Sequence, residues 1–122
     1  MKMDMDLFRD ILIAIEEKPM NQDLDKSSLS DMIGKTPDEV LYHLHLLDDA
    51  GFMDSFTCNT IGNPDYRVQR LTFSGHEYLN NIRDNSVWQK TKETLSNVSS
   101  SASIDIIGSL ATSIIKKSLG ID

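Results

Sequence analysis

Cysteine and long apolar runs are nearly absent from this chain of 122 residues. Cys58 is the single cysteine, so no disulfide can form within the chain and a reducing compartment is the default expectation. No apolar run approaches the ~20 residues that a membrane span requires. Residues 1–6 lack the basic-then-apolar layout of a secretory signal. We therefore expect a cytoplasmic protein with no membrane partner, in which Cys58 is an ordinary buried strand residue.

Positive charge is also scarce. Lys and Arg number 12 against 19 Asp and Glu, which gives a formal net charge of −7. Residues 1–33 and 34–57 each carry a net charge of −4, residues 58–95 carry +1, and residues 96–122 are neutral. A polyanion such as DNA would be repelled by most of this surface.

Motifs for catalysis or metal binding are missing from the sequence. It has no phosphate-binding loop, no nucleophile motif and no paired catalytic carboxylates. His43 and His45 are two residues apart, so on a helix their side chains point about 200° away from each other and cannot share one ion. His76 falls in a different segment. We predict no enzymatic activity, no cofactor and no metal site.

Two helices are predicted in the first 34 residues. The first has apolar residues at spacings of three and four, and Pro19 ends it. Ser27 or Ser28 can cap a short second helix, which Gly34 is well placed to stop. The apolar stripe of the first helix consists of Leu7, Phe8, Ile11, Leu12 and Ile15.

A third helix is predicted between Pro37 and Gly51. Thr36 can act as its N-cap, Pro37 suits its first position, and Glu39 completes a capping-box layout. At 100° per residue, one stripe of this helix is apolar and faces inward. That stripe consists of Val40, Leu44 and Leu47.

After Gly51 the apolar period changes from helical to strand-like. Residues 52–58 and 66–71 are predicted to form a β-hairpin, because turn residues lie between them. Ser74 can then cap a further helix. The order helix, short helix, helix, hairpin, helix is that of a winged helix. We therefore predict a mainly α fold with a small β-hairpin, an α+β winged helix-turn-helix over residues 1–95, followed by C-terminal helical structure.

Residues 41–52 and 71–79 resemble the corresponding parts of winged-helix bacterial regulators, such as the arsenic-repressor-like group. In that group a His-Leu pair is followed by Leu, then by Ala-Gly and an apolar residue that starts the hairpin; here these are residues 43–52. The resemblance implies the same fold. The metal-binding cysteines of that group are absent here, which removes its sensing mechanism.

A resemblance that extends over nearly the whole chain is to domain of unknown function family 2513, a bacterial and phage family. It implies a winged-helix-like domain, often in prophage settings, and it carries over no functional residues. The segments that support it are Met3–Leu7, Tyr42–Leu44, Leu71–Thr72, Gly75–Glu77, Ile82–Asp84, Val87–Trp88 and Lys116–Gly120.

The third helix has the wrong charge for reading DNA, although it occupies the recognition position. Between Pro37 and Gly51 there are four carboxylates and no Lys or Arg. A DNA-reading helix normally presents cationic or amide side chains. A solvated acidic helix, a protein-binding face and direct reading of the major groove all remain open. The predicted partner-binding residues are Asp38, Tyr42, His45, Leu46 and Asp49.

Three functions follow from this conflict between fold and charge. The first is a non-enzymatic protein-interaction module, encoded by a phage or prophage and oligomeric. The second is a DNA-binding transcriptional regulator that uses Lys35, Arg67 and Arg70 near the wing. The third is an acidic inhibitor that mimics DNA and binds a basic host protein, such as a nucleic-acid-binding or defence protein.

The C-terminal quarter is predicted to be a serine-rich linker over residues 96–103 and an amphipathic helix over residues 104–122. A helix of this length is marginal alone, so something must cover its apolar face. Packing on its own domain, a homo-oligomer and a foreign partner remain open. The predicted oligomerisation residues are Ile104, Ile107, Leu110, Ile114, Ile115 and Leu119.

Overall fold

The computed structural model describes residues 1–98 and 102–121. The chain divides into two compact units, Met1–His76 and Glu77–Asp122, with helix α4 beginning in the first and ending in the second. The elements are α1 (Met5–Glu17), α2 (Lys26–Ile33), α3 (Pro37–Ala50), β1 (Met53–Thr57), β2 (Tyr66–Leu71), α4 (Phe73–Ile82), α5 (Asn85–Val98) and α6 (Ile104–Ser118).

The first unit has the predicted winged helix-turn-helix architecture, and the α+β fold class is confirmed. Helices α1, α2 and α3 pack together, and the antiparallel pair β1–β2 forms the wing. Leu24 adds a short bridge to β2, since it exchanges backbone hydrogen bonds of 3.0 and 2.7 Å with Val68. The predicted inward stripe of α3 is completely buried.

The helix boundaries follow local capping chemistry. Thr36 accepts a hydrogen bond from the Glu39 backbone and Gly51 ends α3 with a positive φ of 74°, as the sequence predicts. The predicted Ser27 or Ser28 cap of α2 is wrong. Asp25 caps this helix, because its carboxylate accepts from the Ser28 backbone while the Ser28 hydroxyl accepts from the Asp25 backbone.

The start of α4 also differs from the prediction. The cap is Thr72 rather than Ser74, since the Thr72 hydroxyl oxygen accepts from the Gly75 backbone at 3.1 Å. The helix begins with Phe73, two residues earlier than a Ser74 cap would allow. A threonine at this position suits the end of a strand as well as a helix cap, so the sequence pattern does not distinguish the two.

The wing contains a β-bulge and ends earlier than predicted. Pairing shifts register between Asp54 and Ser55, so Leu71 returns to the buried side after two consecutive exposed residues on β2. Strand β1 stops at Thr57. Cys58 therefore lies outside the strand and is exposed, which corrects the expectation of a buried strand residue.

The second unit is helical. Asp84 caps α5 by accepting from the backbone of Ser86 and Val87. Helix α6 is capped by Ser103 and packs against α5. Of the residues assigned to the linker by the sequence, 96–98 belong to α5, 99–101 lie outside the described residues, and residue 103 is the α6 cap. In the described part of the chain, no helix is both long and apolar enough to cross a membrane.

Tyr78 holds α6 in place within this unit. Its hydroxyl donates to the Ile104 backbone carbonyl at 2.8 Å, and its ring lies so close to Gly108 that a Cβ there would be 2.9 Å from the ring. Burial, with a smaller contribution from the Asp105 carboxylate, raises the pKa of Tyr78. At least part of α6 thus packs within its own chain.

His43 is the most deeply placed polar side chain of α3, with 1% of its surface exposed. Its Nδ1 donates to the Glu39 carbonyl and its Nε2 accepts from the Asp4 backbone N–H, both at 2.8 Å. Because one neighbour is an acceptor and the other a donor, the ring is the neutral Nδ1–H tautomer. The first bond lies within α3, and the second joins α3 to Asp4, the N-cap residue of α1.

We expect His43→Ala to lower the free energy of unfolding by about 2–3 kcal/mol, because it removes a buried ring and leaves two backbone groups without their partner. Urea denaturation measures this. His76→Ala is the matched control: His76 is exposed and its Nδ1 lies 3.7 Å from a Glu16 carboxylate oxygen, so its loss should cost less than about 1 kcal/mol. Equal effects of the two variants would contradict the role of His43.

A second prediction concerns the contact between α4 and the start of the wing. A Cβ on Gly75 would lie 2.1 Å from the Phe52 carbonyl oxygen, which is a backbone atom that no rotamer change can move. Gly75→Ala should therefore cost more than about 2 kcal/mol of unfolding free energy. The exposed neighbour offers the control, since Ser74→Ala should change the urea midpoint little. A fully stable Gly75→Ala protein would show that this close approach is not required.

Candidate functional site

The candidate site is the outer side of α3, called here the acidic face and defined by the five residues predicted from the sequence. Three of them are exposed, Asp38, His45 and Asp49, whereas Tyr42 and Leu46 are half-buried. The opposite stripe of α3 is buried, and this fixes the rotation of the helix. The two carboxylates and the imidazole of the acidic face are therefore open to solvent.

The structure adds two residues that the sequence analysis missed. Tyr66, on β2, forms a 2.7 Å hydrogen bond with Nδ1 of His45, and its hydroxyl donates to Asp48 at 3.4 Å. The rings of His45 and Tyr66 also meet edge to face, with centroids 5.2 Å apart. This cluster, called here the helix–wing tether, joins the middle of α3 to the wing.

Burial and the nearby Asp48 carboxylate together determine the protonation state of the Tyr66 hydroxyl within the tether. Desolvation is the larger cause and Asp48 the next, and both raise the pKa of Tyr66 because they disfavour the phenolate. The tyrosine hydroxyl thus stays protonated and able to donate at neutral pH. No spacing rule could have found Tyr66, since its partner His45 is 21 residues away on another element.

The three predicted DNA-contacting residues are not equivalent. Arg70 forms a 2.6 Å ion pair with Asp54, its cross-strand neighbour, and also donates to the Leu71 carbonyl. Arg67 is exposed on the same strand, and Lys35 is exposed just before α3. The wing therefore presents Arg67 to solvent, whereas the charge of Arg70 is locally compensated.

The wing loop is anchored to α2. The Lys26 ammonium donates to Asn63 and to the Pro64 carbonyl, both at 2.7 Å, and the Lys26 backbone donates to Asp65. Lys26 is nearly buried, so these bonds are sheltered from water. The wing is thus held near its tip by two neighbouring contacts: α2 holds the end of the loop, and the helix–wing tether holds Tyr66, the first residue of β2.

The same region contains one carboxylate with a shifted pKa. Hydrogen bonds from Ser28, the backbone one first, hold the pKa of Asp25 below its usual range, against a smaller opposing effect of burial. The exposed Arg67 guanidinium contributes in the same direction. One wing cation therefore already interacts with an acid at the start of α2.

The histidines are distributed as their spacing predicts. His43 points inward and His45 points toward the wing, so the two do not converge. Among the described residues, no group of three or more His, Cys, Asp or Glu is arranged to hold a metal ion.

The predicted oligomerisation residues lie on different sides of α6. Ile107 is buried inside the second unit, and Ile104, Leu110, Ile114 and Ile115 are half-buried. Leu119, beyond the helix, is exposed. Ile106, which is not among the predicted residues, is 55% exposed and lies beside Leu110 at the edge of an apolar groove.

A family model matches most of this chain. Residues 2–102 match the family described as Hypothetical protein (DUF2513). The chain belongs to the DUF2513 family. This confirms the resemblance seen in the sequence.

Two known proteins resemble this DUF2513 protein. An uncharacterized protein of Haemophilus influenzae is 32% identical over 120 residues, which cover 98% of this chain and 99% of the relative. A crystal structure of a PadR-like transcription factor from Bacteroides fragilis superposes with a TM-score of 0.50 and 15% identity, covering 76% of this chain and 89% of that chain. This structural likeness confirms the winged-helix fold and no more than the fold.

The helix–wing tether of this DUF2513 protein can be tested by removing one oxygen. Tyr66→Phe should lower the free energy of unfolding by about 1 kcal/mol at pH 7, since it deletes the hydroxyl bonded to His45 and Asp48. Tyr42→Phe is a suitable control, because it makes the same chemical change at a half-buried tyrosine of α3 whose ring meets that of His43 edge to face.

The pH dependence gives the tether a second readout. A tyrosine whose pKa is raised on folding stabilises the protein fully below its unfolded pKa, about 10, and this contribution is lost as pH rises toward the folded value. The wild type should therefore lose more stability than Tyr66→Phe between about pH 9 and pH 11. Parallel loss in both proteins, measured by urea denaturation, would show that Tyr66 does not contribute as described.

Proposed function

We propose that this protein is a non-enzymatic winged-helix module that binds a basic protein surface through the acidic face of α3. The observation that carries the proposal is the charge of that face. The exposed carboxylates Asp38, Asp48 and Asp49 lie on a helix without any cationic side chain, at the position where a DNA-reading regulator needs donors. The family and fold resemble a transcription-factor-like winged helix and not an enzyme.

Electrostatics supports a protein partner over nucleic acid. Carboxylates facing phosphates would be repelled, whereas carboxylates facing lysine or arginine accelerate association and select the orientation. Half-buried Tyr42 and Leu46 add apolar contact area within the same face. The helix–wing tether favours binding because it fixes the face before a partner arrives.

A basic partner is also what the inhibitor hypothesis requires. A nucleic-acid-binding protein presents a basic surface, and an acidic helix bound there would compete with phosphates for the same cations. Inhibition of a host nucleic-acid-binding protein is thus a specific form of this proposal. Competition between this protein and a DNA duplex for one basic partner would distinguish this form from simple scaffolding.

The second candidate function is that of a DNA-binding regulator. It is favoured by the likeness to the PadR-like transcription factor and by two exposed cations, Lys35 and Arg67. Contact would then run through the wing and the start of α3, with most of the acidic face held away from the duplex. Arg70 would contribute little to DNA binding unless its ion pair with Asp54 is broken.

A lysine-rich peptide carrying a fluorophore is the probe for the first candidate. The double variant Asp38→Asn with Asp49→Asn should weaken binding roughly three- to tenfold at low salt, because two exposed ion pairs are lost. The matched control is Glu17→Gln with Asp23→Asn, which removes the same charge from exposed acids elsewhere on the surface. Equal weakening in both variants would mean that net charge alone acts, and the acidic face would lose its role.

A labelled random-sequence duplex is the probe for the second candidate. We expect no binding of the wild type at micromolar concentrations, even at low salt, because of its acidic surface. Binding whose affinity falls steeply with salt, and which Arg67→Ala with Lys35→Ala abolishes, would overturn the protein-interaction proposal in favour of the regulator.

A further inference from the structure

The net charge of the chain is carried by its first unit. Residues 1–76 contain seven basic and fourteen acidic side chains, whereas residues 77–122 contain five of each. Two copies that met through their first units would bring like net charges together. The second unit has no net charge, so electrostatic repulsion between two copies is weakest there.

The second unit also presents an apolar surface that its own packing leaves open. A groove of about 510 Å³ lies between α5 and α6. Ile107 and Ala111 on the inner side of α6 are buried, yet Ile106 and Leu110 remain at the groove on the outer side. Helix α6 is therefore apolar over a wider arc than contact with α5 requires. The groove is lined by Thr94, Leu95, Asp105, Ile106, Ser109 and Leu110.

The outer side of α6 is complementary to itself when reversed. Ile106, Leu110, Ser113 and Lys117 are spaced by four, three and four residues, so they form one stripe along the helix. An antiparallel copy would place each Ile106 opposite the aliphatic stem of the other Lys117, and each Leu110 opposite the small Ser113. Apolar and small side chains would alternate across the pair, which permits close packing.

The charges at the two ends of α6 select the same direction. Asp105 lies in the first turn and Lys116 and Lys117 lie in the last, and all three are exposed. Asp105 and Lys116 are eleven residues apart, about 16 Å along the axis and within about 20° around it. An antiparallel neighbour would bring each Asp105 to the other copy's lysines, whereas a parallel neighbour would place like charges together.

We propose that a second copy of this chain binds here, so that two α6 helices pair antiparallel about a two-fold axis. Each copy covers the other's Ile106 and Leu110, and Asp105 of each faces Lys116 and Lys117 of the other. One surface patch thus serves both sides of the contact, as two-fold symmetry requires. This inference is independent of the proposed function, since the acidic face lies on a different unit.

The contact is small, because α6 has 15 residues and is about 22 Å long. We therefore expect an association in the micromolar range, at the weak end of protein interfaces. Sedimentation equilibrium over a range of concentrations should show the 13.7 kDa chain passing from monomer to dimer. A wild type that stays monomeric at hundreds of micromolar would overturn the proposal.

Apolar substitutions test the position of the interface. Ile106→Asp should weaken dimerisation at least tenfold, because it places a carboxylate in the covered stripe. Ile61→Asp makes the same chemical change at a fully exposed wing residue and should leave dimerisation unchanged. If both variants weaken it equally, the contact is not on α6.

Charge variants test the antiparallel direction without relying on any single variant. The Asp105→Lys variant should dimerise weakly, because its new lysine would face Lys116 and Lys117 of the other copy. The double variant Lys116→Asp with Lys117→Asp should also dimerise weakly, because its new carboxylates would face Asp105. An equimolar mixture of the two should associate like the wild type, because each end of the mixed pair is complementary. Combining all three substitutions in one chain should also restore association, and failure of both the mixture and the combined variant would exclude this pairing. Circular dichroism of each variant confirms that α6 is retained.

Discussion

The burial of one stripe of α3 is the constraint on which the candidate site depends. Val40, Leu44 and Leu47 are all without solvent exposure, and His43 beside them forms hydrogen bonds both within α3 and to α1. A helix with its apolar stripe and one polar ring fixed in this way has no rotational freedom left. Its carboxylates must then face water, whatever function the fold performs in other proteins.

The wing depends on that fixed helix in turn. Tyr66 reaches His45 and Asp48 from β2, while buried Lys26 holds the loop through Asn63 and Pro64. Both contacts are hydrogen-bonded and partly buried, so they position the wing more firmly than a two-stranded ribbon could position itself. The acidic face and the wing therefore form one prearranged surface. That surface includes an exposed Arg67 but presents Arg70 only as half of an ion pair with Asp54.

Much of this architecture could be predicted from local patterns. The Thr36 cap, the Gly51 stop and the inward stripe of α3 follow from rules that involve neighbours within a few residues. The wrong caps arise where neighbouring residues fit a local rule equally well. Asp25 rather than a serine caps α2, through a capping box with Ser28, and Thr72 rather than Ser74 caps α4. The end of β1 depends instead on pairing across the hairpin, which stops at Thr57 and Tyr66 and leaves Cys58 outside the strand.

The sequence by itself determined the order of the elements, the absence of cations from α3 and the even charge balance of the C-terminal region, since these depend on residue type and spacing alone. Only the tertiary structure decided that Tyr66 is linked to His45, that Arg70 is compensated by Asp54, and that Ile106 rather than Ile107 lies open on α6. These outcomes depend on which elements come into contact. Burial and hydrogen bonding between residues far apart in the chain are set when the helices and the hairpin pack, and the pattern along one segment cannot encode them.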